Sequence, residues 1–155
     1  LKESLGTLGA SALAAHGTLP TSLAQEARQR KLPPLRIEQV KTILTAPAGI
    51  RLVVVKIETN EPGLYGLGCA TFTQRARVVE TAVDKYLRPF LLGKDVTQIE
   101  DIWQSSFVSS YWRNGPVLYN AMSGVDMALW DILGKRAGMP VYDDLQTEIR
   151  ALARY

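Results

Sequence analysis

One histidine, His16, and one cysteine, Cys69, are all that the 155 residues hold of either type. A lone cysteine excludes an internal disulfide and any paired-cysteine zinc pattern. A lone histidine leaves nothing from which to build a Cys-His or Ser-His nucleophilic centre, and His16 reads as a bystander in its Ala-rich surroundings. There is no glycine-rich phosphate loop and no nucleophile elbow. No run of about 20 apolar residues is present, so no membrane span is expected. The charge excess is small, +3 from 18 Lys and Arg against 15 Asp and Glu. Its local contributor, Arg28, Arg30, Lys31 and Arg36, forms no long basic stripe, so nucleic acid is not an expected partner. Cys69 follows Gly66-Leu67-Gly68 and is expected to be a small buried hydrophobe. What remains, 46% hydrophobic and 21% charged residues, describes one ordinary globular domain.

The chain changes texture twice. Residues 1–35 read as an export leader or as a disordered Ala-rich tail, closed by the Pro33-Pro34 linker. Leu5 to Leu19 suits the apolar core of a signal, and Leu1-Lys2 resembles the end of a twin-arginine leader whose arginines are absent. A periplasmic location follows from the first reading and a cytoplasmic one from the second.

From Arg36 the pattern is β-like. Strands are expected over 37–44, 51–59 and 64–72, broken by Ala46-Pro47-Ala48-Gly49 and by Asn60-Glu61-Pro62-Gly63. Gly66 and Gly68 inside the third strand point to a close backbone approach or a bulge. Such short connections favour an antiparallel meander. The pattern then turns helical. One helix is expected from a Thr73 cap to about Leu91, with Val79, Val83, Tyr86, Leu87 and Phe90 inward. A second is expected over 97–111, on Ile99, Ile102, Trp103 and Phe107. A third is expected over 117–136, with Val117, Ala121, Val125, Ala128 and Ile132 on one face and Gly138 and Pro140 as its stop. The expected fold is α+β: a three-stranded antiparallel meander followed by a bundle of about three helices.

Few residues could carry chemistry. Asp126 and Asp131 are five apart on the third helix and so do not form a catalytic pair. Asp131 can pair with Lys135, and Asp126 is expected to be satisfied by backbone or an arginine. No catalytic and no metal-binding residue is expected in the chain. Arg51 opens the strongest strand just after a loop, where it could reach an anion or simply face solvent. The segment Tyr111-Trp112-Arg113-Asn114-Gly115-Pro116 gathers two aromatics, a fixed cation and an amide. Arg113 and Asn114 could clamp a carboxylate or hydroxyls beside Trp112; alternatively Trp112 packs and Arg113 forms a salt bridge.

The run from Ala121 to Val141, Ala-Met-Ser-Gly-Val-Asp-Met-Ala-Leu-Trp-Asp-Ile-Leu-Gly-Lys-Arg-Ala-Gly-Met-Pro-Val, resembles the N-terminal signature of the mandelate racemase/muconate lactonizing branch of the enolase superfamily. Ile99-Glu100-Asp101-Ile102-Trp103, Tyr111-Trp112-Arg113-x-Gly115-Pro116-Val117, Leu64-Tyr65-Gly66-Leu67-Gly68-x-Ala70-Thr71 and Leu92-Gly93-Lys94-Asp95 are similar to its mannonate dehydratase and starvation-sensing subgroup. The resemblance covers about residues 36–142. It implies a capping domain that closes a Mg²⁺-dependent barrel and sets substrate choice, in a homo-oligomeric parent enzyme that dehydrates a sugar acid. Arg51, Trp112, Arg113 and Asn114 are then the expected substrate contacts.

In that family the signature continues into a catalytic barrel, which needs roughly 200 residues or more. Here Asp144-Leu145-Gln146-Thr147 replaces the expected continuation, and residues 143–155 form a divergent or truncated tail. The barrel is therefore an expected missing partner, and with it the Mg²⁺. The chain reads as an inactive lid, or alternatively as a non-catalytic binding or oligomerisation module derived from one. Gly49-Ile50-Arg51-Leu52-Val53 and Gly68-Cys69-Ala70-Thr71 stand where the subgroup has Gly-x-Asn-Phe-Val and Gly-Asp-Ala-Thr. A cation in place of an amide at Arg51 speaks against mannonate itself and leaves open a different acid sugar or a binding role without turnover.

Overall fold

A computed structural model of the protein describes residues 34–142. His16, the run Arg28 to Lys31, the divergent tail and all but the last two residues of the expected leader lie outside the described residues. Among them no helix is long and apolar enough to cross a membrane.

Three strands, β1 (Ile37–Thr45), β2 (Leu52–Thr59) and β3 (Tyr65–Cys69), form an antiparallel sheet in the order β1-β2-β3. β2 sets its register. Its residues alternate strictly, with Val53, Val55, Ile57 and Thr59 buried and their neighbours half-buried on the opposite face, as period-two side-chain placement dictates. β1 slips register between Ile37 and Gln39. This irregularity lets Ile37 and Val40, an odd number of residues apart, both point into the core. The Asn60 to Gly63 turn closes the second hairpin with Gly63 at φ 80°, and Thr59 Oγ1 donates to the Leu64 carbonyl at 2.9 Å.

β3 ends earlier than the expected 64–72. Beyond Cys69 the Ala70 N–H still reaches the Val53 carbonyl, but the next ladder position is taken by a side chain: the Val53 N–H donates to Thr71 Oγ1 at 3.0 Å. Cys69 is exposed, which corrects the expectation of burial. In β3 the residues Gly66 and Gly68 face inward, so Tyr65, Leu67 and Cys69 must face out.

The first helical stretch has three parts: α1 (Ala76–Thr81), a π-helical segment Ala82–Leu87, and α2 (Arg88–Leu91). A 3₁₀ turn, Thr73–Arg75, precedes them, and Thr73 caps nothing; its hydroxyl bonds the Gln74 side chain instead. The π segment sits just before Pro89. A proline ring crowds the carbonyl four residues back and offers no N–H, and widening the turn relieves this, with the Arg88 N–H bonding the Val83 carbonyl. The wider turn also moves the apolar stripe to Val79, Val83, Leu87 and Leu91, all buried. Tyr86, expected inward, is thereby 73% exposed.

α3 (Ile99–Val108) is shorter than expected and buries Ile99, Ile102 and Ser106. α4 (Pro116–Ala137) is the long central helix. It begins with a proline at its first turn, where no N–H is needed, and ends at Gly138, φ 67°, whose N–H and that of Met139 cap the carbonyls of Lys135 and Gly134. Ala121, Val125, Ala128 and Ile132 are buried as the spacing requires, and Val117 is half-buried. This face of α4 lies directly on β3, the contact that holds helices to sheet.

Candidate functional site

Among the open cavities of the described residues, two hold three of the four expected contact residues, Arg51 in one and Trp112 and Asn114 in the other. The first lies at the end of the sheet where β1 stops and β2 starts. It measures about 510 Å³, and its walls include Leu44, Arg51, Leu52, Gln74, Arg75 and Arg77. Arg51 is placed by the loop before β2, in which Ala48 and Gly49 take left-handed backbone conformations, φ 50° and 77°. That tight turn brings the chain back antiparallel and leaves Arg51 exposed at the sheet's end. Among the described residues Arg51 has no ion pair or hydrogen bond.

The second cavity, about 580 Å³, lies between the first helical stretch and the segment leading into α4, and includes Tyr86, Phe90, Trp112, Asn114 and Pro116. Trp112 is 84% exposed and meets Tyr111 edge-on, ring centroids 5.3 Å apart. Arg113 does not line this cavity. Its guanidinium sits 6.0 Å from the Phe107 ring centroid, so a cation–π contact replaces the alternative of a salt bridge among the described residues. Trp112 and Asn114 are thus brought together, and Arg51 lies in a different cavity. Nothing in the local pattern marks Arg75 and Arg77 as Arg51's neighbours except one oddity: α1 starts with cations and has no acid in its first turn.

The signature aspartates have unlike fates. Asp131 Oδ2 accepts from the Leu67 N–H at 2.9 Å and from Lys135 Nζ at 2.6 Å. Lys135 Nζ also donates to the Tyr65 carbonyl at 3.0 Å and lies over the Tyr65 ring. Asp131 therefore pins β3 to α4 through charge-assisted bonds. Asp126 has no hydrogen bond or ion pair among the described residues, contrary to the expected backbone or arginine partner; its side chain borders hydrophobic Trp103, Met122 and Leu129. No group of three or more His, Cys, Asp or Glu side chains able to hold a metal occurs among the described residues. With Asp131 committed to Lys135, these carboxylates do not fit a Mg²⁺ site.

Burial pushes the Asp126 carboxyl above its ordinary value. The folded state then holds this proton more tightly than the unfolded one. The stability it contributes is complete at low pH and is lost as pH rises from the ordinary carboxylate range through the raised value. Asp126→Asn is accordingly expected to raise the thermal midpoint at about pH 7 and to change it little near pH 3, where both states are protonated. A midpoint at neutral pH equal to or below that of the parent chain would contradict this.

Comparison with known proteins places this geometry. A D-galactonate dehydratase family member of Salmonella enteritidis is 71% identical over 120 residues, 77% of this chain and 29% of that protein. One of Enterococcus gallinarum is 65% identical over 116 residues. The crystal structure of an enolase from Pantoea ananatis with bound D-gluconate and Mg matches with a TM-score of 0.70 at 74% identity, covering 72% of this chain and 27% of that one. The chain spans less than a third of the length of these relatives. The family model for the mandelate racemase / muconate lactonizing enzyme N-terminal domain matches residues 21–145. With its three-stranded meander and helices in the expected order, the chain belongs to the N-terminal domain family of the mandelate racemase and muconate lactonizing enzymes.

Proposed function

We propose that this chain is the capping, substrate-selecting domain of a Mg²⁺-dependent sugar-acid dehydratase, a lyase that works as a homo-oligomer. The observation that carries the reading is the 74% identity, at a TM-score of 0.70, to a protein crystallised with D-gluconate and Mg. The similarity to the mannonate dehydratase and starvation-sensing subgroup belongs to the same proposal. In this reading a barrel domain supplies the metal and the bases. The cap contributes Arg51 toward the acid group and Trp112 and Asn114 toward the hydroxyl-bearing part of the substrate, which Arg113 joins by leaving the Phe107 ring. A guanidinium suits a carboxylate through two parallel N–H bonds, and an exposed aromatic beside an amide suits the C–H and O–H faces of a polyol. Residues 1–35 are proposed to be an export leader. N-terminal sequencing of the protein recovered from cells would then find a mature chain starting near Pro33-Pro34, and an uncleaved chain would overturn it.

The cap reading is tested by grafting residues 34–142 in place of the matching segment of the Pantoea ananatis relative. The chimera is expected to retain sugar-acid turnover. Arg51→Asn within it is expected to change kcat/KM by about tenfold or more, the scale of one charge-assisted hydrogen bond. A folded chimera without turnover would favour the non-catalytic module. Turnover unchanged by Arg51→Asn would remove Arg51 from the substrate's contacts.

A further inference from the structure

The cavity at the sheet's end carries more positive charge than one carboxylate ligand requires. Three guanidiniums, from Arg51, Arg75 and Arg77, share its wall with the Gln74 amide, and among the described residues no acidic side chain lines it. Arg77 is answered by Glu80, at 3.0 Å. Arg75 reaches only the backbone carbonyl of Gln74, at 3.0 Å, and Arg51 has no partner among the described residues. Among the described residues two cations are left without a counter-charge around one concavity.

That arrangement costs stability locally. Guanidiniums of like charge repel, and Arg75 and Arg77 stand at the start of α1, the end of a helix at which cations are disfavoured. Leu44 and Leu52 form apolar walls, which focus the field of the cations into the cavity rather than letting water dissipate it. Proteins break such local rules chiefly at functional or strained sites.

We propose that this cavity binds a phosphate group, a doubly charged oxyanion, between Arg51 and Arg75, with Arg77 and Gln74 as further donors. Two uncompensated guanidiniums match a charge near −2, and each offers a fork of N–H donors to the three terminal oxygens of a phosphate monoester. A carboxylate carries half that charge on two oxygens. The cavity's volume leaves room for the body to which the phosphate is attached, so a phosphorylated sugar acid is the fitting ligand class; free phosphate offers the same recognition chemistry. Through Arg51 the inference rests on the substrate-selecting reading above and moves Arg51 from the carboxylate of the sugar acid to its phosphate. Arg75 carries the part that is independent of that reading.

The experiment is calorimetric titration of the 155-residue chain at constant ionic strength with inorganic phosphate, a phosphorylated aldonate and the plain aldonate, with chloride as the control anion. Phosphate is expected to bind, the phosphorylated aldonate to bind more tightly, and Arg75→Ala and Arg51→Asn each to weaken both by about tenfold or more. Both side chains are exposed, so the variants are expected to fold, and circular dichroism confirms this; if Arg75→Ala does not fold, Arg75→Gln takes its place. Inorganic phosphate binding without any gain for the phosphorylated aldonate assigns the site to free phosphate and overturns the sugar-acid class. Phosphate heats no larger than those of chloride, or affinity unchanged by Arg75→Ala, overturn the inference altogether. Plain aldonate binding that Arg51→Asn weakens, with no phosphate binding, would leave the capping reading standing while this inference fails. Phosphate binding that Arg75→Ala abolishes, with Arg51→Asn silent in the chimera's kcat/KM, would do the reverse.

Discussion

Gly68→Ala is expected to abolish the native fold. A Cβ built on Gly68 falls on the carbonyl oxygen of Gly124 and lies 2.9 Å from the backbone nitrogen of Ala128. Both belong to α4, so no side chain can swing away to make room. Gly66 repeats the situation one pleat earlier, where a Cβ meets the carbonyl of Ala128 and comes within 2.8 Å of Ile132 Cγ1. β3 and α4 are therefore packed backbone to backbone along two successive inward positions. Admitting one methyl means separating the sheet from the helix that buries it. Overpacking ordinarily costs about 1–3 kcal/mol because neighbours relax. Here the neighbours are main chain, and the loss is expected to exceed about 4 kcal/mol, much of the stability of a domain this size. Far-UV and near-UV circular dichroism with a thermal melt check it. The control is Leu67→Ala, on the outward face of the same strand and 44% exposed, for which a change within about 1 kcal/mol is expected. A cooperative melt of Gly68→Ala within a few degrees of the parent chain would show that β3 and α4 are not held this closely.

The glycine pair was legible because two glycines at period two in a strand have few other uses than a close approach. The same holds for the Gly138 and Pro140 stop and for the Asp131–Lys135 pair, whose logic is local. What the sequence hides is whatever depends on accumulated geometry. The slip between Ile37 and Gln39 changes which residues of β1 face inward without leaving a compositional mark. The π segment shifts the stripe so that Leu91 is buried and Tyr86 is not, although helical spacing puts Tyr86 beside Val83. Thr73 has the chemistry of a cap but is itself the first residue of a 3₁₀ turn and does not stand before a helix. Cys69 has the small size of a buried residue, yet strand parity with the inward Gly68 puts it on the outer face. The candidate sites suffered most. Arg51 stands out at a strand start, but its meeting with Arg75 and Arg77 is made by tertiary folding. The 111–116 segment looks like one clamp in sequence, yet Arg113 turns to Phe107 while Trp112 and Asn114 line a cavity.

A polypeptide of these 155 residues is expected to show no sugar-acid dehydration at all, and Mg²⁺ is expected to leave its melting temperature unchanged. Removing a proton α to a carboxylate near neutral pH needs a positioned base and a strong electrostatic partner for the enediolate that forms. The signature helix offers two carboxylates as candidates. At about 100° per residue, five positions turn them about 140° apart on α4, so they cannot face one substrate together. Asp131 Oδ2 is already taken by Lys135 Nζ and the Leu67 N–H. Freeing it for catalysis would unpin β3. Asp126 is half-buried beside Trp103 and Leu129, and one carboxylate without a second ligand is a weak Mg²⁺ site, since that ion binds through carboxylates and waters in a strict octahedron. The guanidiniums of Arg51 and Arg113 offer N–H donors and no acceptor for a substrate proton. Keto-acid formation from a panel of aldonates, with and without Mg²⁺, is the direct assay, paired with thermal melts across a Mg²⁺ titration. Mg²⁺-dependent product that disappears in Asp126→Asn would make α4 a catalytic helix and refute the assignment of this chain to the lid.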